Sequence, residues 1–476
     1  MKQHQLFTTF NQLLLTSLKN NLFYFSLIFF LGFSSCKKET APKNISPPVV
    51  PPPASSKPNV IVILSDDIGY EVPSCDGGQS YSTPSIDQLA AGGMRFTQCH
   101  ASPLCSPSRV MLLTGKYNFR NYTTWGELFS NQKTFANFFH DNGYTTCAAG
   151  KWQFDSANIK ASLFGFNTYS LEEAFYKDST EGSGSSGEEA HYKDPVIYQN
   201  GNYLADSLTL NKYSEDIFNK YVLNFIDSNT SKPFFIYYAP GLCHRPFSPT
   251  PLDPLFAGWN PMSPSDNRWF HEMVNYMDMM IGNVVQELKN KNLFNNTIIL
   301  YSGDNGTPGG NGGNIPIYSE FDGYTIAGGK GQTIEYGTHV PLIVSWPQAV
   351  APGSTDSSLV DFTDFFPTFT QILGVYNTAQ YGILDGTSFY GQLLNISNAA
   401  VRSTIYEWYN PFFQGSGGHM ATQVWAQNAT YKLYATGNFF NIVKDVMELN
   451  PLQHQTLTMQ ELQAKEQLQN ILNHQN

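Results

Sequence analysis

Apolar residues along this chain cluster in short, nearly continuous runs and not in strict alternation. Residues 59–65, NVIVILS, are aliphatic and β-branched almost throughout, the pattern of a strand covered on both faces of a parallel sheet. Similar runs recur at 144–150 (YTTCAAG), 233–240 (PFFIYYAP), 296–303 (NTIILYSG) and 340–347 (VPLIVSWP). Helical spacing fills 84–92, 133–142, 213–227 and 268–291 between them. Strands alternating with helices predict an α/β fold, a large and mostly parallel sheet sandwiched by helices. Beyond about residue 375 the pattern changes. STIYEWY (403–409), ATQVWAQ (421–427) and TYKLYAT (430–436) are strands close enough in sequence to pair antiparallel. A terminal helix follows, with Thr458 and Glu461 as a capping box ahead of Leu462, Leu468 and Leu472. The pattern therefore predicts an α/β domain over 58–375 and a smaller antiparallel subdomain with a helix over 376–476.

The first residues follow a different logic. Lys2 and Lys19 precede LFYFSLIFFLGFSSC (22–36), an n-region, an apolar core and a small-residue cleavage site. The run is nearer ~15 residues than the ~20 of a membrane span. A cysteine directly after GFSS is similar to a bacterial lipobox. That predicts a signal peptide over 1–35 and a lipid anchor on Cys36, with the Pro/Ser-rich stretch 36–57 as a semi-rigid tether. The expected location is outside the cytoplasm, on a membrane, in the periplasm or at the cell surface.

Charge restricts the partners. The chain carries a formal net charge of −11, and removal of residues 1–35, with two Lys and no acids, takes it to −13. Such a surface has no general attraction for nucleic acid or any other polyanion. An anionic substrate would need locally concentrated cations. Six cysteines occur, Cys36, Cys75, Cys99, Cys105, Cys147 and Cys243. With Cys36 lipidated, five remain, an odd number that points to a reactive or modified residue; pairing among Cys75, Cys99, Cys147 and Cys243 stays open.

Two strand ends carry acidic chemistry. The run at 59–65 ends in Asp66-Asp67, and the run at 296–303 ends in Asp304-Asn305. In open α/β sheets, ligands bind beyond the carboxyl ends of strands. Three carboxylates brought together there repel one another unless a cation lies between them, and an all-oxygen set suits Ca²⁺ or Mg²⁺ better than zinc. Either pair alone is also ordinary turn chemistry; it is their joint placement that favours a metal.

SPLCSPSRVMLLTGKY (102–117) holds the most suggestive cysteine. Pro107 is a favoured first-turn residue, so a helix is expected to start here with Cys105 at its N-terminus, where backbone N–H groups favour negative charge. Arg109, at i+4, shares its face. A nucleophile beside an anion site and a guanidinium suits attack on a phosphate or sulfate ester.

CSPSR followed by LLTGKY resembles the signature of the type I, formylglycine-dependent sulfatases of the alkaline phosphatase superfamily. Further similar motifs follow in order across most of 58–450: PNVIVILSDDIGY, TPSIDQLAAGGMRFT, AGKW, CHRPF, SGDNG, GGKGQTIEYGTHVPLIV, DFFPT and DGTSF. The resemblance implies that Cys105 is oxidised by a formylglycine-generating or maturase enzyme to an aldehyde whose hydrate is the nucleophile. It implies calcium ligands at Asp66, Asp67, Asp304 and Asn305, completed by residue 105, with Mg²⁺ as an alternative ion. It also implies that Arg109 holds the formylglycine, that Lys151 and Lys330 bind sulfate oxygens, and that His244 or Lys330 protonates the departing alcohol. The substrate would be a sulfated small molecule or glycan, and carbohydrate is expected from export and not from particular residues. Trp259, Trp269 and the loops 181–191 and 306–314 are candidates for the cleft rim.

Two positions depart from the family pattern. Gln153 stands in GKWQF where the family carries a histidine assigned to the formylglycine hydroxyl, and an amide cannot serve as a base near neutral pH. His339 in EYGTH replaces a common arginine, with a structural role expected. A phosphoesterase or phosphonate hydrolase of the same superfamily is the alternative enzyme. A degenerate lipoprotein that binds sulfated glycans is the alternative outside enzymology, and Gln153 is its main support.

Overall fold

A computed structural model describes residues 57–154, 161–172, 192–310, 314–413 and 420–475. The expected signal peptide over 1–35, Cys36, the expected tether up to residue 56 and the loop 181–191 lie outside the described residues. Among those described, no helix is long and apolar enough to cross a membrane.

The apolar runs become the strands of one mixed sheet. Its body is built from β1 (Asn59–Ser65), β2 (Met94–His100), β3 (Thr145–Lys151), β4 (Thr168–Glu172), β5 (Phe234–Ala239), β6 (Thr297–Gly303) and β7 (His339–Ser345), in the order β2-β7-β6-β1-β5-β3-β4. Strand β1 pairs in parallel with β5 on one side and with β6 on the other. The strand order therefore reverses at β1, the kind of switch point where a crevice opens beyond the strand ends. Strand β7 runs antiparallel to both β6 and β2, although its apolar run looks like those of the parallel strands. Burial on both faces dictates the composition of such a run and leaves its direction undetermined.

Helices cover both faces, as the alternation predicts. Val60, Val62 and Leu64 face a cluster that includes α2 (Cys105–Thr114) and α3 (Phe135–Asp141), while Ile61 and Ile63 face one that includes α1 (Pro84–Ala91), α4 (Ser214–Ser228) and α5 (Phe270–Asn290). Successive residues of β1 thus serve opposite cores, the period-2 consequence of a pleated strand.

The C-terminal strands β8 (Ile405–Tyr409), β9 (Gln423–Gln427), β10 (Tyr431–Tyr434) and β11 (Phe439–Asn441) form a separate antiparallel sheet. It carries α6 (Met459–Gln475), whose Thr458–Glu461 capping box is present: Thr458 N–H donates to Glu461 Oε2 at 2.8 Å and Glu461 N–H to Thr458 Oγ1 at 3.3 Å. Tyr406, Ala426, Leu433, Leu468 and Leu472 belong to the same apolar cluster as Val60 and Phe135. The small sheet therefore shares a core with the large one.

Candidate active site

Every predicted site residue lies on or just beyond a strand end or on the buried helix α2. Asp66 and Asp67 follow β1, Asp304 and Asn305 follow β6, Lys151 is the last residue of β3, and His244 lies five residues past β5. Backbone hydrogen bonds clasp these ends: Asp66 N–H donates to Leu242 O, Cys243 N–H to Asp66 O, and Asp304 N–H to Ser65 O. Two glycines allow the approach. A Cβ on Gly150 would lie 2.1 Å from Ala239 O, and its φ is +96°; a Cβ on Gly303 would lie 1.9 Å from Ile68 O.

Helix α2 begins at Cys105, and all ten of its residues are buried. The i+4 spacing places Arg109 under the same site. Its Nε and one terminal nitrogen donate to Asp304 Oδ2 at 2.9 and 2.7 Å, and the other terminal nitrogen reaches Lys151 O and Tyr237 Oη, each at 3.3 Å. Asp66 Oδ1 lies 3.7 Å from the guanidinium. Ligand atoms of Asp66, Cys105 and Asp304 all fall within 4.8 Å of one another, and these residues are fully buried.

The buried charges pair one to one. Arg109 holds Asp304, Lys151 Nζ donates to Asp66 Oδ2, and Lys330 Nζ donates to Asp67 Oδ2 at 2.7 Å. Asp67 also accepts from Asn305 Nδ2 at 2.8 Å, and its own N–H donates to Asp304 Oδ1 at 3.0 Å. Its φ of +59° is one that Asp tolerates better than most residues. Burial alone would raise the Asp66 carboxyl, yet Lys151, with His244, Arg109 and Lys330, holds it well below the ordinary range. Burial, and after it Asp66, raises the Asp304 carboxyl, against the pull of Arg109 and Lys151. Burial likewise raises the Cys105 thiol, against the pull of Lys151 and Lys330. A plain thiol here is a poor nucleophile near neutral pH.

The donor set fits a hard divalent cation. Asp66 Oδ1 and Asn305 Oδ1 are buried without a hydrogen-bond partner, and such orphaned acceptors are costly. A cation among Asp66, Asp67, Asp304 and Asn305 would satisfy both with oxygen ligands, as Ca²⁺ or Mg²⁺ prefers.

A cleft of about 470 Å³ opens over this cluster, lined at its base by Asp67, His244 and Lys330 and further out by Arg245, Met262, Ser263 and Asn314. The Lys330 loop is fixed from both sides. Gly331 N–H donates to Pro103 O at 2.8 Å, and Lys330 N–H to Thr307 O at 3.0 Å. The C-terminal sheet braces it: Thr333 Oγ1 and Tyr434 Oη are 2.8 Å apart, and Lys432 Nζ donates to Thr333 O. On the other flank Ser102 Oγ donates to Glu407 Oε1 at 2.6 Å. The small sheet thus positions the segments on either side of residue 105. A contact of His244 Nδ1 with Arg245 O fixes its tautomer, since a carbonyl can only accept.

Gln153, one of the two departures, is buried just beyond β3, with φ +62° and Oε1 without a hydrogen-bond partner. His339 lies outside the cluster, stacked between Tyr70 and His100 with Nε2 donating to Thr97 O at 3.1 Å. Of the expected rim residues, Pro308, Gly309 and Asn314 line the cleft. The two tryptophans do not. Trp269 is buried against Trp259, because it precedes α5 on its core-facing side. Cys75, Cys99, Cys105, Cys147 and Cys243 are all free thiols. Sequence reasoning missed Tyr237, Ser102, Glu407 and Arg245. The signals were a polar ring in an otherwise apolar strand run, and a cation directly after His244.

A family model described as Sulfatase matches residues 58–375, and one described as N-sulphoglucosamine sulphohydrolase, C-terminal, matches 330–476. Arylsulfatase G of Rattus norvegicus is 26% identical over 86% of this chain and 85% of its own. Among solved structures, Ps i-CgsB in complex with k-i-k-neocarrahexaose superposes with a TM-score of 0.68 at 24% identity, covering 87% of this chain and 92% of that one. BT4656 in complex with its substrate D-glucosamine-2-N,6-O-disulfate superposes with a TM-score of 0.67 at 21% identity, over 88% and 97%.

Proposed function

The chain belongs to the sulfatase family and is a sulfuric ester hydrolase, and from that premise we propose that it hydrolyses sulfate esters of a carbohydrate through formylglycine made from Cys105. One observation carries the reading: residue 105 is buried at a helix start within 4.8 Å of two carboxylates and beside three cations on a strongly acidic protein. The solved complexes with a neocarrahexaose and a glucosamine disulfate support the carbohydrate part.

The divalent cation, Ca²⁺ or Mg²⁺, would be held by Asp66, Asp67, Asp304, Asn305 and residue 105, and when bound it supplies Lewis-acid neutralisation of the transferring sulfuryl group. Formylglycine at 105, once formed, would supply a hydrated aldehyde as the nucleophile toward sulfur. Arg109 orients residue 105 through its i+4 placement and its fixed fork on Asp304. Lys151 and Lys330 provide the local positive charge that an anionic ester needs, positioned before the substrate arrives. His244, with Nδ1–H directed at Arg245 O, delivers a proton to the leaving alcohol from Nε2. It must therefore start as imidazolium, and it returns to the neutral tautomer that the carbonyl favours. Lys330, at the cleft base, is the alternative donor. Gln153 cannot take the proton that the family's histidine takes. The signal peptide and Cys36 extend the proposal to an exported, lipid-anchored enzyme that meets its glycan outside the cytoplasm.

The test is release of inorganic sulfate, read by ion chromatography, from a panel of sulfated mono- and oligosaccharides and an aryl sulfate. Protein produced beside a formylglycine-generating enzyme should release sulfate, and Cys105→Ala should not. Absence of release from every substrate by converted protein would overturn the reading.

A further inference from the structure

The cations of the buried cluster are all matched to carboxylates; Arg245, which lines the cleft beside Lys330, is not. Arg109, Lys151 and Lys330 pair with Asp304, Asp66 and Asp67. Among the described residues Arg245 makes no ion pair. One terminal nitrogen donates to Ile315 O at 2.8 Å, and the guanidinium lies 4.4 Å from the centroid of the buried Phe247 ring. The carboxylate whose field reaches it is Asp67, whose oxygens already accept from Asn305 and Lys330.

A half-buried guanidinium held by a carbonyl and an aromatic face is oriented without being neutralised. A carbonyl uses one of its five donors and carries no formal charge. The side chain is thus pre-organised, so an incoming anion meets a planar fork whose conformational entropy is already spent. The fork faces a cleft whose base holds Lys330 and His244 and whose volume suits one sugar ring with its neighbour. On a chain of net charge −11, an unneutralised cation at this point is conspicuous.

We infer that Arg245 is a second anion subsite: it binds an oxyanion that the substrate carries in addition to the scissile sulfate, by paired N–H···O contacts. The substrate class is therefore a sulfate ester with a further sulfate or carboxylate on the same or the adjoining sugar. This inference rests on the proposed sulfatase reading and narrows it.

The experiment uses full-length converted enzyme and three probes: a hexose monosulfate, the same hexose with a second sulfate, and the hexose monosulfate linked to a uronic acid. Wild type should prefer at least one dianionic probe in kcat/KM, chiefly through KM. Arg245→Ala should lose roughly 10- to 100-fold more on that probe than on the monosulfate, with Arg245→Lys intermediate, because a charge-assisted fork contributes about that much. The preferred probe tells sulfate from carboxylate. Equal losses on all three probes, or no preference in wild type, would overturn the inference while leaving the hydrolase reading intact. The same ratio is read without turnover by calorimetric binding to Cys105→Ala protein. Failure of the hydrolase reading appears separately, as absent sulfate release.

Discussion

Arg109 offers the sharpest test of how this site is held together. It is fully buried and gives two charge-assisted hydrogen bonds, at 2.9 and 2.7 Å, to one oxygen of an equally buried Asp304. Replacement by Met keeps much of the volume but leaves Asp304 with the Asp67 N–H as its remaining partner for a buried charge. Two unit charges ~4 Å apart attract by about 4 kcal/mol at the effective dielectric that suits buried sites. Breaking a buried pair from one side typically costs about 3–5 kcal/mol, since a charge is stranded. Arg109→Met should therefore lose about that much in urea unfolding with EDTA present. Asp304→Asn should lose less, because Arg109 keeps Asp66 at 3.7 Å, Lys151 O and Tyr237 Oη. In the double variant no carboxylate is stranded at position 304, so its loss should fall short of the sum of the single losses by about 2 kcal/mol or more. Additivity within ~0.5 kcal/mol, or a loss under ~1 kcal/mol for Arg109→Met, would refute the reasoning.

Other consequences follow from the same geometry. Ca²⁺ should raise the unfolding free energy by about 2.7 kcal/mol at a hundred times its dissociation constant, with EDTA reversing the gain and Asn305→Ala abolishing most of it, as read by thermal melts. His339 is pushed down to about 4, first by burial and then by His100, from 6.5 in the unfolded chain. Its folded pKa is the lower one, so stability is fully present above pH 6.5 and is lost as pH falls towards 4. That gap is worth roughly 3 kcal/mol at 1.36 kcal/mol per pH unit. His339→Gln, which can still donate to Thr97 O, should flatten that limb of the stability profile; an unchanged slope would contradict it. Gln153→His should raise turnover on any substrate found by about tenfold or more, by restoring a general base where an unpartnered amide oxygen now lies. A lower kcat would show that another group already takes the proton.

Much of this site was legible because its residues mark strand ends. Asp66-Asp67 and Asp304-Asn305 directly terminate apolar runs, so the parallel sheet brings them together at the switch point beside β1. Cys105 and Arg109 needed only helical spacing. What escaped the sequence depends on direction and on distant packing. The 339–345 run reads like its parallel neighbours, yet it returns antiparallel. Strand β2, MRFTQCH, went unseen because Arg95 and Gln98 break its apolar run on the less buried positions. Trp269 looked like a rim residue because an aromatic side chain alone does not say which face of a helix start it occupies. The brace from Glu407, Lys432 and Tyr434 joins segments separated by about 100 to 305 positions, and no local pattern encodes such a meeting.

The central claim is that residue 105 works as an aldehyde. Trypsin should release residues 96–109, FTQCHASPLCSPSR, between Arg95 and Arg109, with Cys99 as an internal thiol. Mass spectrometry of active protein should find this peptide about 18 Da lighter than the unmodified sequence, the difference expected for formylglycine in place of cysteine, and alkylated only at Cys99. An active preparation in which both Cys99 and Cys105 are alkylated, with no 18 Da deficit once the two added groups are subtracted, would contradict the account.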